Sequence, residues 1–210
     1  MKLHGYFRSS ASYRVRIALN LKGLSAEHLP HHIRKGEQRA PAYLAINPQG
    51  LVPALEDDSG AVLTQSLAII EWLDETHPEP PLLPRDPLRR AKVRAFAQAL
   101  ACDTHPVQNS KVLVRLRELG VGEEKVTAWA GWANREGLSA CEKLIAGEPG
   151  PFCFGDKPTL ADLCLVPQLV NARRFGVDVN AFPQLLKAEA AAKAMKAFAD
   201  AAPDKQPDAE

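Results

Sequence analysis

The sequence predicts an α/β domain followed by an all-helical one, and three observations carry that prediction. Tyr6–Leu19 (YFRSSASYRVRIAL) changes from a strand pattern to a helical one, with serines at the seam. His77–Pro87 (HPEPPLLPRDP) holds five prolines in eleven residues, which neither a helix nor a central strand tolerates. From Leu88 onward the apolar residues recur at helical spacing.

Lys2–Tyr6 reads as a short strand. Ser9, Ser10 and Ser12 stand where a helix N-cap belongs. A serine hydroxyl there accepts an N–H of the first turn, and the remaining N–H groups and the helix dipole attract an anion. Val15, Ala18 and Leu19, with Ile17 and Leu21 beside them, form an apolar stripe that Gly23 ends. Arg14 and Arg16 frame the stripe and Arg8 precedes the serines. Taken alone, the segment fits a capped surface helix with solvated arginines as well as an anion site, and the local pattern leaves both open.

Glu27–Ile33 (EHLPHHI) reads as a strand, Arg34–Arg39 as a loop and Pro41–Ile46 as a short helix. His28, His31 and His32 have no further ligand at a useful spacing, so no metal site is expected. Asn47-Pro48-Gln49-Gly50 is a turn leading into the apolar run Leu51–Leu55. Pro53 suits an edge strand, or a cis bond at which Val52 offers its main chain to an extended peptide; the local pattern leaves both open. Asp57–Gly60 is a hairpin turn and Ala61–Thr64 its return strand. Ser66 reads as a second cap serine, with the amide of Gln65 beside it, opening a helix that carries Leu67, Ile70 and Leu73.

The prolines mark the boundary: a first domain at residues 1–80, a linker at 81–87 and a helical domain at 88–210. In the second, one helix is expected from Leu88 to about Leu116, kinked at Pro106, and another from Glu123 to Ala146 with Val126, Trp129, Ala133, Leu138 and Leu144 facing inward. Thr159-Leu160-Ala161-Asp162 has the form of a capping box and opens a helix that ends at Asn171, Arg173 and Arg174. A last helix spans Gln184–Ala201, and the tail Pro203–Glu210 looks disordered.

With 26 basic against 25 acidic residues, nothing points to nucleic acid or an anionic membrane, and the expected partner is a small molecule. The four cysteines form no CxxC pair and read as buried structural thiols of a reducing compartment. No apolar run has signal-peptide or membrane-span length, so a cytoplasmic protein is expected.

Four motifs in order resemble the cytosolic glutathione transferases: Ser9-Ser10-Ala11-Ser12-Tyr13-Arg14-Val15-Arg16-Ile17-Ala18-Leu19, Asn47–Pro53, Gln65-Ser66-Leu67-Ala68-Ile69 and Thr159–Pro167. The first looks like the SSCxWRVRIAL signature of the zeta class, the maleylacetoacetate isomerase family. The resemblance implies a thioredoxin-like N-terminal domain, an all-α C-terminal domain, glutathione as cofactor and a homodimer. It places Ser9 on the glutathione sulfur with Ser10 next to it, Gln49, Val52 and Pro53 along the tripeptide, and Gln65 and Ser66 on its γ-glutamyl carboxylate. Asp103–Asn109 resembles the family's DIHPxQN stretch, so His105, Gln108 and Asn109 line the site. Arg174 matches the arginine set on the substrate carboxylate, with Arg8 as a second. The family's cysteine is Ala11 here, so the nucleophile must arrive with glutathione.

The implied reaction turns maleylacetoacetate into fumarylacetoacetate, a step of aromatic amino-acid catabolism. A thiolate adds reversibly to the conjugated cis alkene and frees it to rotate. Lowering a thiol pKa by about 2 units from about 8.5 takes about 2.7 kcal/mol of preferential thiolate stabilisation. Rival readings are the same chemistry on maleylpyruvate, a general conjugating enzyme with Tyr6 as thiolate donor, and a non-catalytic glutathione-binding module.

Overall fold

The computed structural model describes residues 1–210. They form two compact units, Met1–Leu82 together with Lys193–Glu210, and Leu83–Ala192. The expected boundaries place Lys193–Glu210 in the helical domain; here these residues group with the first unit.

The first unit is built on a four-stranded sheet in the order β2-β1-β3-β4. β1 (Lys2–Gly5) pairs parallel with β2 (Glu27–Pro30), placing Leu3 opposite His28, and antiparallel with β3 (Ala54–Glu56), placing Leu3 opposite Leu55. β4 (Val62–Thr64) closes the hairpin on β3. The parallel pair needs a crossover, and α1 (Ser10–Lys22) supplies it. Ser9 caps α1, and Gly23 ends it at φ 67°, a conformation that suits glycine. β2 is followed by single 3₁₀ turns at Ile33–Lys35 and Glu37–Arg39 and by α2 (Pro41–Leu44). α3 (Ser66–Thr76) packs on α1, and Ile17, Leu55, Ile69 and Leu73 are fully buried.

Two expectations fail in this unit. The arginines of α1 are not solvated, since Arg14 is 1% and Arg16 6% exposed. Every residue of α1 from Ser12 to Leu19 is buried, so the helix has no solvent face to give them. The tail is not disordered either. α9 (Lys196–Asp200) packs on α1, and a 3₁₀ turn follows at Pro203–Lys205. Composition hid this, because the tail is held by hydrogen bonds: Asp208 Oδ2 accepts the Phe7 N–H at 2.9 Å and Gln206 Nε2 donates to Ala202 O at 2.8 Å.

The helical unit contains α4 (Pro87–Gln98), α5 (Ser110–Glu118), α6 (Glu123–Leu144), α7 (Leu160–Arg174) and α8 (Pro183–Lys193). The single kinked helix expected from Leu88 to Leu116 is broken into pieces. A widened π turn covers Ala99–Thr104, a 3₁₀ turn follows at Pro106–Gln108, and Asn109 caps α5 anew. Proline removes an N–H and blocks the preceding turn. Thr104 also presses on α6 where only Gly137 leaves room, because a Cβ there would lie 1.9 Å from its hydroxyl. α7 is buried on nearly every side and runs on through Pro167. Trp129 and Leu144, expected inside, are 39% and 50% exposed, because the buried stripe of α6 runs through Val126, Ala130, Ala133, Leu138 and Cys141. Cys141, Cys153 and Cys164 are buried and Cys102 is exposed, an exception to the expected set of buried thiols. Burial pushes the Cys141 thiol up to about 12. No helix is long and apolar enough to cross a membrane.

Candidate active site

Ser9 leads into α1 from extended backbone at φ −71° and ψ 117°. Its hydroxyl oxygen accepts the Ser12 N–H at 3.2 Å, leaving the hydroxyl proton for an outside acceptor. No acidic residue occupies the first turn of α1, so no side chain of that turn offsets the positive end of the helix. Ser10, the first helical residue, is 7% exposed, and Arg8 is half-buried with its guanidinium carbon 6.0 Å from the Phe7 ring centroid.

Val52 packs with Tyr6, Phe7 and Tyr43 in one buried cluster, which sets it beside the turn leading to Ser9. The Val52–Pro53 bond is cis. The ladder to β1 begins at Ala54, paired with His4, so the Val52 main chain lies beyond the paired strand. Tyr6, the rival thiolate donor, is 4% exposed inside this cluster.

At the start of α3 the expected roles shift by one residue. Gln65, not Ser66, occupies the cap position, at φ 68° and ψ 117°, with no side-chain cap bond. A non-glycine residue with positive φ carries strain of about 1–3 kcal/mol and points to a functional constraint. The Gln65 amide donates to Gln49 Oε1 at 2.8 Å, so two predicted ligand residues meet. Ser66 begins the helix, and its hydroxyl accepts from Arg14 Nη1 at 3.3 Å. The first turn of α3 also lacks acidic residues.

In the helical unit, Gln108 is 1% exposed, and neither its amide nitrogen nor its amide oxygen has a hydrogen-bond partner. An orphaned buried amide is costly and fits a ligand-facing residue. Asn109 already accepts the Val112 N–H at 3.2 Å, so capping accounts for its oxygen. His105 is half-buried between the π and 3₁₀ turns. Arg174 stands exposed at the end of α7, its guanidinium carbon 5.9 Å from the Phe175 ring centroid. No group of three or more His, Cys, Asp or Glu side chains is placed to hold a metal ion.

Sequence reasoning missed Arg14 and Arg16 as parts of the site's frame. Arg16 donates from Nη2 to Phe7 O at 3.0 Å, and burial lowers its pKa to about 10. The available signal was the apolar set Val15, Ile17, Ala18 and Leu19 around Arg16, which leaves that arginine little solvent-facing surface.

Known proteins resemble the chain over its whole length. Residues 3–81 match the family model for the glutathione S-transferase N-terminal domain, and residues 135–201 match that for the C-terminal domain. A maleylacetoacetate isomerase of Pseudomonas aeruginosa is 53% identical over 99% of this chain and 98% of its own length. A holo structure of maleylpyruvate isomerase, a bacterial zeta-class enzyme, superposes with a TM-score of 0.97 at 47% identity, over 100% of both chains. A maleylacetoacetate isomerase from Methylobacterium extorquens AM1, solved with malonate and glutathione, superposes with a TM-score of 0.96 at 43% identity, also over 100% of both chains. The chain therefore belongs to the glutathione transferases, in the zeta class that contains the maleylacetoacetate isomerases.

Proposed function

We propose that this protein is a glutathione-dependent cis–trans isomerase that converts maleylacetoacetate to fumarylacetoacetate. The observation that carries the reading is Ser9 at the cap of α1, with its oxygen engaged by the Ser12 N–H and its proton left to give. Glutathione fits the residues present. Gln65 and Ser66 at the start of α3 suit a carboxylate, Val52 beyond the ladder suits a peptide backbone, and the orphaned Gln108 amide suits a polar group of the ligand.

When bound, glutathione would supply the thiolate nucleophile that isomerisation of a conjugated cis alkene requires. Ser9 donates a hydrogen bond that favours the ionised sulfur, and the free N–H groups of α1 add to it. Gln49, Val52 and Pro53 align the peptide, and Gln65 and Ser66 take its γ-glutamyl carboxylate. Ser10 completes the first turn beside Ser9. Arg8 and Arg174 hold carboxylates of the dicarboxylic enedione and favour negative charge as it develops. The family resemblance further implies roles in binding for His105, Gln108 and Asn109 of the helical unit. Loss of the cis-enedione absorbance in purified protein, with and without glutathione, tests the reading. Loss only with glutathione supports it, and no loss in either case refutes it.

Maleylpyruvate is a second substrate to assay, favoured by the likeness to a maleylpyruvate isomerase at a TM-score of 0.97. Assays with both acids rank them by kcat/KM. The family further supports a homodimer working in the cytoplasm, in phenylalanine and tyrosine breakdown.

A further inference from the structure

The turn that delivers Ser9 is held from the far end of the chain. β1 ends at Gly5 and α1 starts at Ser10, so the peptides between them belong to neither ladder. Buried backbone groups in such a turn need other partners. Tyr6 O accepts the Ser9 N–H at 3.0 Å, a local bond. The Phe7 peptide is gripped by distant residues. Its C=O accepts Arg16 Nη2 at 3.0 Å, and Arg16 is itself fixed by donating from Nε to Ala201 O at 3.0 Å. Its N–H donates to Asp208 Oδ2 at 2.9 Å, across 201 residues of chain. The other Asp208 oxygen lies 3.7 Å from His28 Nδ1, and the Asp208 side chain is 13% exposed. Beyond it, the Glu210 carboxylate pairs with His32 and Arg34, so the segment is fastened on both sides of Asp208.

We infer that Asp208 is a positioning residue: by holding the Phe7 N–H it fixes the Phe7–Arg8 turn and thereby the place of the Ser9 hydroxyl. This rests on the role proposed above for Ser9. A hydrogen bond to a carboxylate is about twice as strong as one between neutral groups, and a misplacement of about 1 Å at a reacting centre can cost about a hundredfold in rate. The contact is made to the turn, and to none of the residues assigned to the peptide or its γ-glutamyl group. Its loss should therefore lower kcat more than it raises the KM for glutathione.

The test compares Asp208→Ala, Asp208→Asn and, as a control on the same segment, Asp204→Asn, whose side chain is 75% exposed. Hydrogen exchange of the Phe7 amide in the full chain is measured beside kcat and KM for glutathione. Asp208→Ala is expected to speed Phe7 exchange about tenfold or more and to lower kcat about fivefold to twentyfold, with KM held within about twofold. Asp208→Asn, which can still accept the bond without the charge, is expected to lower kcat only about twofold to threefold. It shows the same split if the alanine variant does not fold. Asp204→Asn matches wild type. Unchanged Phe7 exchange in the Asp208 variants overturns the inference, and so does faster exchange with unchanged kcat. If wild type itself shows no glutathione-dependent turnover, the functional reading fails, and Phe7 exchange alone then decides whether Asp208 holds the turn.

Discussion

Arg14 reaches from the middle of α1 to the first residue of α3, its Nη1 3.3 Å from the Ser66 hydroxyl, with both side chains buried. A charged donor thus orients the serine proposed to hold the γ-glutamyl carboxylate, and adds positive charge behind it. Arg14→Lys removes the planar fork while keeping the charge. Losing a hydrogen bond from a charged group costs about 1.5–3 kcal/mol, which is a rise of about 10- to 150-fold in glutathione Kd. Calorimetric titration with glutathione checks it.

Gln65 sets stability against binding, because its φ of 68° favours glycine while its amide is proposed to bind the ligand. Gln65→Gly is expected to leave stability unchanged or raise it by up to about 1 kcal/mol, relief of strain being offset by backbone entropy. Its glutathione KM rises about tenfold with the lost amide contact. Urea unfolding and steady-state kinetics on one preparation test both halves.

Asp162 anchors the helical unit. Its carboxylate accepts the Thr159 N–H at 2.8 Å, the Thr159 hydroxyl at 3.1 Å and the Cys153 N–H at 2.9 Å, while burial pushes its pKa above the ordinary carboxylate range. Asp162→Ala strands buried donors at about 1–3 kcal/mol each, so a loss of about 3 kcal/mol or more is expected. Denaturant unfolding measures it.

Acid should weaken the first unit. His4, His28 and His31 are all held below the usual histidine pKa, chiefly by burial, and His4 Nδ1 lies 2.9 Å from His31 Nε2, where two positive rings would repel. The unfolded chain takes up protons on these rings near pH 6.5 and the folded chain does not. Stability is therefore full above about pH 6.5 and declines as pH falls from there through the lower folded-state values, by at most about 1.4 kcal/mol per pH unit for each ring. His31→Gln flattens that decline in urea unfolding at pH 7.5 and 5.5.

What the sequence made legible was local. The capping of α1 within the run Ser9, Ser10 and Ser12, its end at Gly23, the hairpin at Asp57–Gly60 and the capping box at Thr159 and Asp162 are each written in a few adjacent residues, and each stands as read. What it hid was non-local. Arg14 and Arg16 look like surface charges until α3 and the C-terminal segment cover them. The polar tail resembles a disordered one until Asp208 and Glu210 meet Phe7 N, His32 and Arg34. The shift from Ser66 to Gln65 as the cap depends on a single φ angle, which neither residue type announces.

The central claim is that Ser9 keeps a bound thiol ionised, and the most direct test is an ultraviolet titration of the thiolate of glutathione bound to wild type and to Ser9→Ala. A wild-type midpoint about 2 units below the free-thiol value of about 8.5, returning most of the way in the variant, is the predicted result. The same midpoint in both proteins would contradict it.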